Sequence, residues 1–211
     1  MPPQLPIPTL VGTHVRLEAL GHHHVDDLSA AAQEDRATFG FTAVPENRAD
    51  TTELVGHLLG EWAMGLAIPF AQVALASGRA VGVTRFLTIR SLVGDARPYA
   101  VEIGGTWLAA SAQHTSINTE AKLFLLTHAF ATWQVVRIDL NADARNERSR
   151  TALVRNGATF EGVLRQWQPS HVAGEESLCR DTAMYSVVST EWLDVRRRLE
   201  ALCRNDETSS S

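Results

Sequence analysis

Cysteine is nearly absent from this chain: Cys179 and Cys203 are the only two among 211 residues. One sits in a strand-like segment and the other near the C-terminal end, so neither a disulfide framework nor a close-spaced zinc motif can be drawn from them. Both read as inert thiols. A surplus of positive charge is also missing. Nineteen Lys and Arg against 24 Asp and Glu leave a net charge of −5, so no bulk field draws the chain to nucleic acid or anionic lipid; a cationic or amine-bearing partner is favoured. No uncharged apolar run is long enough to cross a bilayer. The opening MPPQLPIPTL lacks the basic start and apolar core of a signal peptide, and together these absences predict a cytoplasmic protein. There is no internal repeat and no low-complexity interior.

What is present is apolar surface. With 45% hydrophobic residues in 211, the chain can bury one substantial core and is short for two. The reading is a flexible Pro-rich arm over 1–9, a single domain over 10–203 and a disordered tail over 204–211, because neither end buries enough apolar surface to offset its ordering entropy.

Within the domain, THVRLEAL alternates like a strand and HHHVDDLSAAAQED has helical composition. Leu54, Leu58, Leu59, Trp62 and Leu66 share one face of a second helix. The period then changes. PFAQVALA, AVGVTRFLTI and YAVEIGGTWLA read as an antiparallel meander, the first two strands joined by an SGR turn. A helix from the segment beginning AQHTSIN to Trp133 follows, then the strand VVRIDLNA and the helix NERSRTALVRNG, which Gly157 closes. ATFEGVLRQW and LCRDTAMYSVV are the last two strands. STEWLDVRRRLEALC is a closing helix with Ser189 or Thr190 as its cap. The order predicts an α/β fold of the α+β mixed-sheet kind, largely antiparallel, with about seven strands and helices on both faces.

The six residues QHTSIN, Gln113–Asn118, pose the functional question. A helix begins with amides that lack intrahelical acceptors, and with the macrodipole these form an anion site. Here the amides near Ser116, Ile117 and Asn118 follow directly on a strand, where phosphate-bearing ligands dock, yet the turn contains no glycine. Ser and Asn are tolerable there: both are small, both cap helices, and the ligand would be held by backbone rather than side chains.

In its order of elements over roughly residues 10 to 190, the chain resembles the GNAT superfamily of acetyl-coenzyme A-dependent N-acetyltransferases, in particular the RimJ/RimL branch of ribosomal-protein N-terminal acetyltransferases. Gln113–Asn118 is similar to that family's pyrophosphate loop, with Ser116 and Asn118 in its small-residue positions. NERSRTALVRNGATFEG resembles its later helix, with Asn146, Ser149 and Gly157 in place. The resemblance implies a splay between the fourth and fifth strands that admits the pantetheine arm, with the glycine pair Gly104 and Gly105 marking a bulge on the fourth. It also implies coenzyme contacts from Trp107, Leu108, Gln113, Thr115, Ser116, Ile117, Asn118, Asn141, Asn146, Ser149 and Arg150. Acetyl-coenzyme A would be the cosubstrate, with no metal, nucleic acid or membrane among the partners. A homodimer is left open.

Acetyl transfer to an amine needs a base, an oxyanion donor and an acid for the departing thiolate. Glu102, one pleat before the glycine pair, is the candidate base, acting through water. Where the family commonly places a tyrosine acid this chain has Leu153, so Ser149 or Tyr185 must serve. No nucleophilic Cys or Ser constellation points to an acyl-enzyme, which leaves direct attack in a ternary complex. Phe39, Phe41, Trp167 and His171 would wall the acceptor site, and Glu175 and Glu176 would attract a cationic acceptor. Protein N-termini and small-molecule amines both remain as acceptors, and a silent acyl-coenzyme A-binding module is the alternative of another class. His22, His23 and His24 read as a solvated helix start, His128 as a core histidine, and Arg196–Arg198 as a solvated face.

Overall fold

Alternating apolar residues set the sheet and 3.6-residue spacing sets the helices that cover it. The computed structural model describes residue 5, residues 8–92, residue 95 and residues 97–209. Apart from residues 5, 8 and 9, the Pro-rich arm lies outside the described residues, as do tail residues 210 and 211. In chain order the elements are β1 (Leu10–Val11), β2 (Val15–Ala19), α1 (Val25–Gln33), α2 (Arg48–Ala63), β3 (Ala67–Ala74), β4 (Arg79–Ser91) and β5 (Pro98–Leu108). Then follow α3 (Ser116–Thr127), β6 (Arg137–Asp143), α4 (Glu147–Arg155), β7 (Thr159–Pro169), β8 (Cys179–Val188) and α5 (Trp192–Ser209).

The eight strands form one mixed sheet in the order β1-β2-β3-β4-β5-β6-β8-β7. This is one strand more than the sequence predicts, because the two residues of β1 are too few to show a period. β1 is instead held from outside: the Glu120 carboxylate on α3 accepts the backbone N–H groups of Thr13, His14 and Val15, each at 2.8 Å, at the β1–β2 turn. The closing helix also departs from expectation. It starts at Trp192, so neither Ser189 nor Thr190 caps it, and it runs past Cys203 to Ser209 because no Gly or Pro interrupts the segment.

Helices lie on both faces. Phe86 of β4 packs against Trp133, just beyond α3, with ring centroids 4.6 Å apart, whereas the next residue, Arg85, reaches Glu61 of α2. Successive strand residues point to opposite faces, so α2 and α3 flank the sheet from opposite sides. Phe70, Phe86, Ile138, Leu125, Leu126 and Leu199 are fully buried in the core; each such side chain contributes roughly 1.5–3 kcal/mol.

One joint in the sheet differs from all the others. β5 and β6 are parallel and pair only at Ala100, Val101 and Glu102 against Arg137, Ile138 and Asp139. Beyond Glu102 the two strands separate, each still bonded to its outer neighbour. The splay is the predicted one, between the fourth and fifth strands if β1 is left out. The bulge is on β5 as well: opposite β4 the register slips by one residue between Val83 and Arg85. Gly105 takes up the slip at φ +57, where an added Cβ would come within 2.7 Å of Arg85 Nε. Glycine meets both demands.

Candidate active site

A cavity of about 650 Å³ fills the split between β5 and β6. Its floor and sides come from Ile103–Leu108 of β5, Leu140–Asp143 of β6, the turn before α3 and the first turns of α4. At the turn, Thr115 caps α3 and its hydroxyl accepts the Ile117 N–H at 3.3 Å. The left-handed conformation usually assigned to a glycine falls on His114, at φ +61; Ser116 and Asn118 are helical and need no glycine. Histidine is among the residues more tolerant of that region than most. Gln113 fixes the turn by donating to Leu108 O at 3.0 Å and Thr38 Oγ1 at 3.1 Å, while its own Oε1 accepts from Arg148 Nη1 at 3.0 Å.

Opposite the turn, Asn146 caps α4 with Oδ1 accepting the Ser149 N–H at 3.0 Å. Ser149 lines the cavity, and among the described residues its hydroxyl makes no hydrogen bond. Buried polar atoms of the lining are also left without partners: Trp107 Nε1, Asn118 Oδ1 and Asn156 Oδ1. Unpaired buried polar atoms are costly unless a ligand or water meets them. A helix N-terminus, a small hydroxyl and these atoms suit a phosphate-bearing ligand with amide groups along an arm.

Glu102 lies behind the lining rather than in it. Its Oε1 accepts from Asn141 Nδ2 at 2.7 Å and its Oε2 from Thr88 Oγ1 at 3.0 Å. Thr88 is held at φ +50, a strained state for a β-branched residue, at an irregularity of β4. Burial pushes the Glu102 carboxyl above its ordinary value, with the two hydrogen bonds acting against it. Asn141 lines the cavity, and its Oδ1 accepts from Arg180 Nη2 at 3.2 Å. Arg180, Asn141, Glu102 and Thr88 form one hydrogen-bonded chain at the fork of the V.

Residues 14–159 match the family model described as Acetyltransferase (GNAT) domain. The chain belongs to the GNAT acetyltransferase family. A GCN5-related N-acetyltransferase from Brucella melitensis superposes with a TM-score of 0.79 at 27% identity, covering 94% of this chain and 86% of that one. A structure assigned as an acetyltransferase, from T. thermophilus, gives 0.76 at 30%, covering 93% and 97%. Mycobacterium smegmatis RimJ, in complex with CoA-disulfide, gives 0.73 at 21%, covering 89% and 88%, and so shares the fold. A sequence search of curated proteins found no match.

Most of the expected coenzyme residues of this GNAT domain meet at the cavity: Trp107, Leu108, Gln113, Thr115, Asn118, Asn141, Asn146 and Ser149. Ser116 and Ile117 are buried and do not line the cavity. Arg150 points elsewhere, donating to Tyr185 Oη at 3.1 Å and Ala144 O at 3.0 Å. Tyr185 goes with it: buried beside Arg150 on a separate surface pocket, it does not line the cavity. Leu153 does line it.

On the acceptor side Phe39, Phe41 and His171 line the cavity. Trp167 does not, being 58% exposed on the edge strand β7. Glu175 and Glu176, expected to attract a cationic acceptor, do not line the cavity. Glu175 is taken by Arg145 at 2.8 Å and Ser170 Oγ at 2.6 Å, while Glu176 accepts the Gly174 N–H at 2.8 Å. Arg145 also bonds the buried Asp143 and lies over the Phe41 ring, tying the β7–β8 connection to the end of β6.

The basic lining was not foreseen. Arg85, Arg148, Arg155, Arg180 and Lys122 all reach the cavity of a chain whose net charge is negative. Lys122 is buried, donates to Thr106 Oγ1 at 2.8 Å and Thr84 Oγ1 at 3.2 Å, and burial lowers its pKa to about 7. A sequence signal existed for it, since it shares the apolar face of α3 with Ala121, Leu125 and Leu126. Of the histidines, His24 is buried rather than solvated, with Nδ1 accepting from Gly21 N and Nε2 at 2.9 Å from Glu18 Oε1. Glu18, His23 and His24 bring donor atoms within 4.8 Å of one another, but Arg16 on Glu18 opposes a cation there. His128 packs between Phe86 and Trp133 as a core histidine. Arg196–Arg198 are exposed, and among the described residues neither cysteine forms a disulfide. Among the described residues no helix is long and apolar enough to cross a membrane.

Proposed function

We propose that this chain transfers acetyl to a primary amine by direct attack in a ternary complex, with Glu102 as the base. Acetyl-coenzyme A supplies the thioester; the α3 turn, Asn146 and Ser149 would hold it. The observation that carries the reading is the Glu102–Asn141 pair at the fork of the split, where a carboxyl with a raised pKa sits one side chain away from the cavity. A base works best with its pKa nearer the operating pH, and burial moves Glu102 in that direction.

The bookkeeping of the reaction is simple. The ammonium loses a proton towards Glu102, relayed by Asn141-bound water. The free amine forms the new C–N bond as the C–S bond breaks. The nitrogen gives up its second proton to become the amide, and that proton, passed on through Ser149 or water, goes to the thiolate, which leaves as the thiol. The proton taken by Glu102 returns to solvent. Backbone N–H groups on the inner edges of β5 and β6, where their pairing stops, would donate to the developing oxyanion. Ser149 serves the departing sulfur. A protein N-terminus and a small-molecule amine are the two acceptor classes, the former supported by the shared fold with RimJ.

The test is Glu102→Gln. Turnover at neutral pH should fall about 10²-fold or more, while the rise in melting temperature produced by acetyl-coenzyme A stays as in the wild type. Undiminished turnover at saturating acceptor sinks the base assignment. Absence of any thermal shift in the wild type sinks the coenzyme site.

A further inference from the structure

The acceptor end of the cavity is built from cations whose charge the protein itself does not fully answer. Arg180 of β8 lines it with Nε buried and unpartnered. Among the described residues its Nη2 donates only to neutral oxygens, Gln168 Oε1 at 2.7 Å and Asn141 Oδ1 at 3.2 Å. Among the described residues no carboxylate comes within ion-pair distance of it. Arg85 adds a second buried, unpartnered Nε, pressed against the Gly105 bulge, although its Nη1 is paired with Glu61. His171 stands at the mouth, where burial first, then Arg180 and Arg85, disfavour its protonation. The nearby acids are spoken for: Glu61 by Arg85, Asp143 by Arg145, and Glu102 stands behind Asn141.

A half-buried guanidinium with no ion-pair partner loses hydration that the more distant charges of Asp143 and Glu102 offset only in part, and a planar fork of donors matches a carboxylate. Through Asn141, Arg180 also stands two hydrogen bonds from Glu102. We propose that the acceptor is an amine carrying a carboxylate a few bonds from its nitrogen, with Arg180 gripping the carboxylate and thereby turning the amine towards Asn141 and Glu102. The inference rests on the acetyltransferase reading. It keeps the amine-bearing partner favoured by net charge but adds an anionic group to it, because the local lining and not the molecular total faces the substrate. A free amino acid is the source favoured; a peptide beginning with an acidic residue offers the same chemistry.

The experiment uses the full chain, saturating acetyl-coenzyme A and thiol release, with acceptors in matched sets. Phenylalanine is compared with phenylalaninamide and phenethylamine, and an amidated tetrapeptide beginning with aspartate with one beginning with asparagine. The carboxylate member of at least one set should be preferred by about 10- to 10²-fold in kcat/KM, the range of a charge-assisted pair. In Arg180→Gln that ratio should fall towards one, and Arg180→Lys should restore part of it. Taking the ratio within each variant removes any effect on the base, and the coenzyme-induced thermal shift certifies each fold. Which set shows the preference identifies the source of the carboxylate.

Equal turnover of the neutral partners, or an unchanged ratio in Arg180→Gln, overturns the inference and leaves acetyl transfer standing. If coenzyme binds but no amine is acetylated, acetyl transfer is lost instead. The inference is then decided by calorimetry of the coenzyme A-loaded protein with N-acetylphenylalanine against N-acetylphenethylamine. Failure of the carboxylate to bind more tightly overturns it.

Discussion

Ser149 carries a burden that its chemistry only half suits. Its hydroxyl sits in the cavity lining with no partner among the described residues, one helical turn from Asn146, while Leu153 fills the place where a phenol would stand. A serine hydroxyl has too high a pKa to act as a true acid near neutrality, so it donates a hydrogen bond to the thiolate or relays a water proton. Its loss should be milder than loss of a dedicated acid. Ser149→Ala is expected to lower the single-turnover rate by roughly 10- to 10²-fold, measured in that way because product release would otherwise mask the chemical step. Wild-type rates in the variant remove Ser149 from the chemistry. Tyr185 is a poor replacement, since Arg150 holds its hydroxyl on a pocket away from the cavity.

At the scale of elements, α3 has the odd property of driving a lysine into the core. Among the described residues Lys122 has no carboxylate partner, only two threonine hydroxyls, and burial takes its pKa from the ordinary 10.5 to about 7. Below pH 7 both folded and unfolded chains hold the proton, and the desolvation penalty is fully present. Between pH 7 and 10.5 the unfolded chain binds a proton that the native chain does not, so this contribution to stability improves as pH rises. Lys122→Met should therefore raise the melting temperature, by more at pH 6.5 than at pH 9.5. A gain independent of pH would show that lost desolvation is not its cause. Nothing in the reading of α3 as a helix required knowing this, because helix periodicity is local and Leu125, Leu126 and Ala121 set it alone. The same locality explains what was legible: every strand of five residues or more and, through the Gly104–Gly105 pair, the β5 bulge were each signalled within one short window, whereas the splay was implied only by the family resemblance. β1 gave no signal because two residues show no period, and the carboxylate that holds its turn to β2, Glu120, lies more than a hundred residues away. Arg180 gave none either, since only the fold carries it to Asn141, 39 positions earlier.

For the whole molecule, the three-pair joint between β5 and β6 divides one sheet into two antiparallel halves, β1 to β5 and β6 to β8 with β7. Past that joint each strand keeps its outer partner but shows the other a row of unanswered N–H and C=O groups. Exposed strand edges ordinarily recruit other chains. Here the two edges face each other across a walled cavity, so they are edges that only a narrow guest can reach. Their amides should behave accordingly in deuterated water. In the free protein, the inward-facing N–H groups of Ile103–Leu108 and Leu140–Asp143 should exchange well before those of β3 and β4, and acetyl-coenzyme A should slow them selectively. Equal protection across all four strands without ligand would mean that the split is closed in solution. A gap left in the hydrogen-bond ladder thus makes the apoprotein's softest amides a direct report on its guest.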